Sequence, residues 1–171
     1  MEIKGLIVVN VEKCLGCHSC EIACAVEHSR SKQLFSAISE APLPKSRVAV
    51  EHYGSARLPL QCRHCDNAPC IKVCPTKAML KEAGNGAVLI DHSLCIGCKW
   101  CLLVCPFGAV TLDNDEKAVL KCDLCYERTS TGRVPACVYS CPTGALQFTS
   151  VEELIKKKRR DFLVDFLGAV K

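Results

Sequence analysis

The sequence predicts an α+β chain in which short strands alternate with cysteine-bearing loops, closed by one C-terminal helix. Three observations carry this. Sixteen of the 171 residues are cysteine, and they fall into four groups. Short β-branched or alternating segments flank each group, which makes an internal repeat of motif plus strand. From Ser150 onward the pattern turns helical, with Ser150 as N-cap and Glu152 and Glu153 in the first turn.

Taken in order, residues 3–9 are apolar and rich in branched side chains and read as a strand. They feed the first motif, Cys14, Cys17, Cys20 and Cys24, and a helix is expected over residues 20–28. Residues 29–46 are polar and then hold Pro42 and Pro44, so they read as a surface excursion, and residues 47–53 form a second strand. The second motif is Cys62, Cys65, Cys70 and Cys74. A turn at 83–86 and a strand at 87–91 deliver the third motif, Cys95, Cys98, Cys101 and Cys105. Residues 109–112 and 116–121 flank Asp113-Asn114-Asp115 as a hairpin. The fourth motif, Cys122, Cys125, Cys137 and Cys141, spans a long insert at 126–136 that reads as a loop, and a last strand follows at 145–149.

A cysteine content this high suits a disulfide scaffold, but tight Cys-x-x-Cys groups favour shared metal sites over scattered cross-links. The chain opens Met1-Glu2-Ile3-Lys4 with only a brief apolar run after it, so no signal peptide is expected and a cytoplasmic location is. No apolar run approaches the roughly 20 residues that span a bilayer. The formal charge is +4 with neutral thiols, but sixteen thiolates around four oxidised cores of +2 bring it to about −4. The 22 Lys and Arg therefore read as compensation for buried negative centres, and without aromatic residues interleaved among them they do not form a nucleic-acid surface.

Residues 95–106 read C-x2-C-x2-C-x3-C-P, the spacing of a bacterial iron–sulfur run. Three cysteines close a loop around one cubane, and the fourth, one helical turn on, is carried toward a neighbouring cluster. Thiolate is the soft ligand such clusters select, and sixteen cysteines supply four clusters with none left over. Zinc is the competing reading, and it accounts for the Cys-x-x-Cys pairs without accounting for the full run. Pro75, Pro106 and Pro142 follow the last cysteine of three motifs and end the helical turn there; Ala25 stands in that place after Cys24, in keeping with a longer helix. Gly16 and Gly97 allow backbone N–H groups close to the sulfurs.

Taken together, the motifs resemble the four-cluster ferredoxin-like electron-transfer subunits of molybdenum and tungsten oxidoreductases. The likeness is to those of carbon monoxide dehydrogenase, formate hydrogenlyase and formate dehydrogenase, tungsten aldehyde oxidoreductase and dimethyl sulfoxide reductase complexes. It rests on Cys-Glu-Ile-Ala-Cys-Ala-Val-Glu-His (20–28), Ala-Pro-Cys-Ile-Lys-Val-Cys-Pro-Thr (68–76), Lys-Cys-Asp-Leu-Cys (121–125) and Ala-Cys-Val-Tyr-Ser-Cys-Pro-Thr-Gly-Ala-Leu (136–146), and covers roughly residues 1–149. It implies two interleaved bacterial-ferredoxin-like folds. The outer unit would be 1–56 with 107–149, the inner 57–106, and 150–171 a helical tail. It further implies crossed ligation: Cys62, Cys65, Cys70 with Cys105; Cys95, Cys98, Cys101 with Cys74; Cys14, Cys17, Cys20 with Cys141; and Cys122, Cys125, Cys137 with Cys24. No ligand position is vacant, so four 4Fe–4S clusters are expected. The implied role is relay of single electrons between a catalytic oxidoreductase subunit and a second redox partner. A free-standing polyferredoxin and a zinc-binding interaction module are the alternatives.

No catalytic constellation is present: His28, His52 and His92 lack a serine or carboxylate at a telling spacing. His18 and His64 sit inside motifs whose cysteines already complete the ligand count, so hydrogen bonding is their expected role, and Trp100 is expected to shield a cluster. The tail joins the basic run 156–160 to Phe162, Leu163, Phe166 and Leu167. It is expected to pack on its own domain with a solvated basic face; docking to a partner subunit is the sharper alternative, and a membrane-surface helix the third.

Overall fold

The strands are too short to build one sheet, and each instead pairs with a single neighbour. A computed structural model describes residues 5–169, so positions 3 and 4 of the first expected strand and the last two residues of the tail lie outside the described residues. β1 (Leu6–Val9) pairs antiparallel with β8 (Leu146–Thr149), Leu6 opposite Thr149 and Val9 opposite Leu146, which joins the first motif to the end of the fourth. β2 (Ala49–Tyr53) and β3 (Ala56–Leu60) form a hairpin, as do β4 (Met79–Lys81) with β5 (Val88–Ile90) and β6 (Val110–Leu112) with β7 (Val119–Lys121). β3 contains Pro59, opposite Val50; a two-stranded ribbon tolerates the missing donor, since each strand has a free edge.

Each motif carries a short helix. α1 (Ser19–Glu27) belongs to the first, α3 (Pro69–Val73) to the second and α4 (Trp100–Val104) to the third. The surface excursion holds one more helical turn, α2 (Leu34–Ala37), whose Ala37 is buried. The insert expected to be a loop is largely helical, as α5 (Tyr126–Ser130) followed by α6 (Ala136–Tyr139). Two interactions organise it: Arg128 pairs with Glu27 of α1 at 2.9 Å, and Gly132, at φ 82°, terminates α5 with its N–H on the Thr129 carbonyl.

α1 packs on α6, and α3 packs on α4. The interior divides the same way. One core gathers Ile7, Cys20, Cys24, Val48, Val50 and Cys137; the other gathers Cys70, Met79, Val88, Cys101, Val110 and Val119. Cysteines make up a large part of both, as expected for a chain whose repeats cannot fill a core with hydrocarbon.

The C-terminal helix α7 (Val151–Ala169) corrects the expectation that it packs on its own domain. Its start is fixed by a capping box: the Glu153 N–H donates to Ser150 Oγ at 3.1 Å, and Glu153 Oε2 accepts from the Ser150 N–H at 3.4 Å. Beyond the first turns, Phe162, Leu163, Val164, Phe166 and Leu167 are all more than half exposed. Among the described residues no helix is long and apolar enough to cross a membrane.

Candidate metal centres

Every motif turns its loop inward with the same backbone device. The second residue after the first cysteine takes a left-handed conformation in all four: Gly16 at φ 66°, His64 at 49°, Gly97 at 66° and Leu124 at 62°. This reverses the chain between the first two cysteines and turns N–H groups back toward sulfur. The His64 N–H donates to Cys62 Sγ at 3.4 Å, and the Leu124 N–H to Cys122 Sγ at 3.4 Å. The third residue after the last cysteine repeats the device at Lys77, Gly108 and Gly144, redirecting the chain after each Cys-Pro step.

Three pockets result, each lined by four cysteines. One is bounded by Cys95, Cys98, Cys101 and Cys74, another by Cys14, Cys17, Cys20 and Cys141, and a third by Cys62, Cys65, Cys70 and Cys105. Three thiols in each come from one motif and the fourth from another. The remaining four, Cys122, Cys125, Cys137 and Cys24, are each no more than 8% exposed and close enough that the thiols of Cys122, Cys125 and Cys24 all act on Cys137. The largest groove is elsewhere: it runs between β1, the β4–β5 turn and the start of α7, and touches the cysteine sites only at Cys62 and Cys65.

The donor chemistry suits an iron–sulfur core. All sixteen cysteines are free thiols. Burial pushes Cys20 and Cys101 up to about 11 and Cys125 up to about 12, and it holds Cys122 and Cys137 well above the ordinary thiol value. Such thiols keep their protons until a metal displaces them. Toward the surface the direction reverses. The Ser19 hydroxyl, 3.4 Å from the sulfur, lowers Cys17. At Cys74 and Cys141 burial acts upward but is outweighed by backbone N–H groups and by the hydroxyls of Thr76 and Thr143, at 3.7 and 3.8 Å.

Side chains that motif spacing did not single out complete the fourth site. His28 donates from Nδ1 to the Cys24 carbonyl at 2.7 Å and from Nε2 to Asp123 at 3.1 Å. Burial opposes its positive charge, but the Asp123 bond prevails and raises it to about 10. Asp123 also accepts from Arg47 Nη1 at 2.7 Å, while the Arg47 backbone N–H donates to Cys24 Sγ at 3.2 Å. Asp123 lies inside the Cys-x-x-Cys pair, the one signal that pointed to it. His18 bonds Glu21 at 2.7 Å, and His64 accepts the Val88 N–H at 2.9 Å. Trp100 stands in the wall of the Cys74–Cys95–Cys98–Cys101 cavity, 56% exposed, while His92 is exposed and His52 is exposed with its ring 6.1 Å from that of His18.

Residues 55–151 match the family model of a 4Fe–4S dicluster domain. An iron–sulfur protein of Rhodospirillum rubrum is 41% identical over 160 residues, covering 86% of this chain and 83% of that one. The putative electron transport protein YsaA of Escherichia coli is 38% identical over 160 residues, covering 92% and 98%. YnfG of the same organism, a probable anaerobic dimethyl sulfoxide reductase component, is 36% identical over 154 residues, covering 87% and 75%.

Proposed function

The chain belongs to the 4Fe–4S dicluster family, and we propose that its sixteen cysteines hold four clusters in the crossed sets Cys14, Cys17, Cys20 with Cys141; Cys62, Cys65, Cys70 with Cys105; Cys95, Cys98, Cys101 with Cys74; and Cys122, Cys125, Cys137 with Cys24. It is an electron-transfer iron–sulfur subunit of an oxidoreductase complex, with no catalytic role of its own. A 4Fe–4S core supplies one-electron redox chemistry without bond rearrangement in the protein. The chain's part is to fix the cores at short range, exclude water and tune each site through hydrogen bonds to sulfur. The observation that supports three of the ligand sets is the wall of each pocket, with three cysteines of one motif and one of another, and the fourth set rests on the joint burial of Cys122, Cys125, Cys137 and Cys24.

On this reading the chain is two interleaved ferredoxin-like units, 1–56 with 107–149 and 57–106. The hairpin β6–β7 ties them, since its Val110 and Val119 lie in the core of Cys70 and Cys101. Electrons enter from a catalytic oxidoreductase subunit and leave to a second redox partner, or the reverse, and the exposed tail from 150 onward is the docking element for one of them. With no membrane-spanning helix among the described residues, association with a membrane would go through a partner.

Iron and acid-labile sulfide analysis of anaerobically purified protein tests the cofactor assignment. About four irons and four sulfides per four cysteines are expected, with a brown colour and a broad visible band. A colourless protein with about one zinc per four cysteines would sink it.

A further inference from the structure

Lys121 is a buried cation without an anion. Its residue is 2% exposed, and its ammonium donates to the carbonyls of Val88 and, at 2.6 Å, Cys122. No ion pair among the described residues includes it. The carboxylate two residues on, Asp123, is already engaged by His28 and Arg47. Carbonyl dipoles satisfy two of the three N–H groups of an ammonium, but they do not neutralise a charge removed from water.

The surroundings indicate where the missing anion belongs. Strand alternation sets Lys121 on the same face of β7 as Val119, which lies in the core with Cys70. Lys121 lines the cavity of Cys62, Cys65, Cys70 and Cys105. The other cations in the walls of the three pockets, Arg63 and Lys99, are exposed and screened by water.

We propose that Lys121 is the fixed countercharge of the cluster held by Cys62, Cys65, Cys70 and Cys105, and that it raises the reduction potential of that site more than that of any other. An electron arriving there adds one negative charge beside a buried positive one, so Lys121 favours the reduced state over the oxidised state. In the relay, Lys121 makes this site a place where the electron is held. The inference rests on the ligand set proposed above.

Spectroscopic redox titration of the full, anaerobically loaded chain tests it. Cys62→Ser and Cys105→Ser first mark the signal of the site; if they mark different clusters, the crossed ligand set fails, whatever Lys121 does. Lys121→Met should then keep its iron and lower the reduction equilibrium of that marked signal about tenfold or more, equivalent to about 59 mV for one electron. Lys117→Met, which removes an exposed cation from the same hairpin, should move nothing. With full iron, an unchanged marked signal, a shift confined to another signal, or an equal shift of all four overturns the proposal. If Lys121→Met instead loses the marked cluster alone, Lys121→Arg should restore it. Failure of that rescue, or loss of all four clusters together, overturns the proposal as well.

Discussion

The compact motifs, first and third, and the wide motifs, second and fourth, reach the same loop geometry by different means. The left-handed residue in a compact motif is glycine because a hairpin lies over it. A Cβ on Gly97 would stand 1.9 Å from the Lys117 carbonyl oxygen in the β6–β7 turn, and one on Gly16 would stand 2.5 Å from Arg57 Cδ on β3. In the wide motifs the same position carries a side chain that is used. His64 accepts the Val88 N–H, and Leu124, 2% exposed, fills the outer core. The residue before the first cysteine differs in parallel: Lys13 and Leu94 are exposed, whereas Gln61 and Lys121 are each 2% exposed. The middle cysteines Cys17 and Cys98 are exposed, and their counterparts Cys65 and Cys125 are not. Compact motifs thus present cluster loops to the surface, and wide motifs anchor the interior.

The largest effect expected from testing this contrast is at the ligands. Cys105→Ser should remove one cluster, taking iron from about sixteen to about twelve atoms per chain, and the lost signal should be the one shared with Cys62, Cys65 and Cys70. Loss of the signal shared with Cys95, Cys98 and Cys101 instead would make each motif self-contained and end the distinction between a loop and its borrowed fourth ligand.

Next come the glycines, where the two compact motifs should part from each other. Gly97→Ala meets a backbone oxygen and a left-handed φ together, and should cost at least about 2 kcal/mol, a fall of several degrees in the melting temperature of the loaded chain. At Gly16 the obstruction is the flexible Arg57 side chain, so Gly16→Ala should cost about 1–2 kcal/mol. Gly108→Ala and Gly144→Ala, also left-handed but with open space around the added methyl, should cost about 1 kcal/mol each. Equal thermal shifts at Gly97 and Gly108 would mean that the hairpin is no rigid cover.

Smaller again is the tie between the first and fourth motifs. Glu27→Gln breaks the half-buried pair with Arg128 at 2.9 Å and should cost about 1–2 kcal/mol, read as faster loss of the visible band in denaturant. An unchanged rate would mean that the pair adds nothing to the packing of α1 on α6.

The four cysteine groups were legible in the sequence because Cys-x-x-Cys spacing is local and needs no tertiary knowledge. The hairpin around Asp113–Asp115 and the N-cap at Ser150 were legible for the same reason. β4, three residues long, offers too few positions for alternation to show, and β3 carries Pro59, which a free ribbon edge accepts. α5 looked like a loop because its insert holds Gly132 and Pro135; its order comes from Arg128 reaching Glu27 and from Thr129, 1% exposed, bonding back to the Cys125 carbonyl. Nothing in the sequence marks Lys121 as buried. A lysine among strand residues ordinarily faces water, and only the fold turns it inward.

The smallest stability effect separates the cluster-bearing body from α7. Expecting α7 to pack at home treated its apolar side chains as core, yet Phe162, Phe166 and Leu167 stay more than half exposed, with Lys157 bonding Gln147 at 3.1 Å near the helix start. A helix that buries so little contributes little to the fold. Truncation after Ser150 should change the stability of the isolated chain by about 0.5 kcal/mol or less and leave its iron content whole. What it should remove is affinity for the partner subunit, because a large exposed apolar surface beside five consecutive cations persists in a chain when something else covers it. Pull-down of the catalytic partner with truncated and full-length chains separates the two contributions. If partner binding is undiminished while stability falls sharply, α7 belongs to the body after all, and the contrast between anchoring motifs and presenting surfaces ends at residue 150.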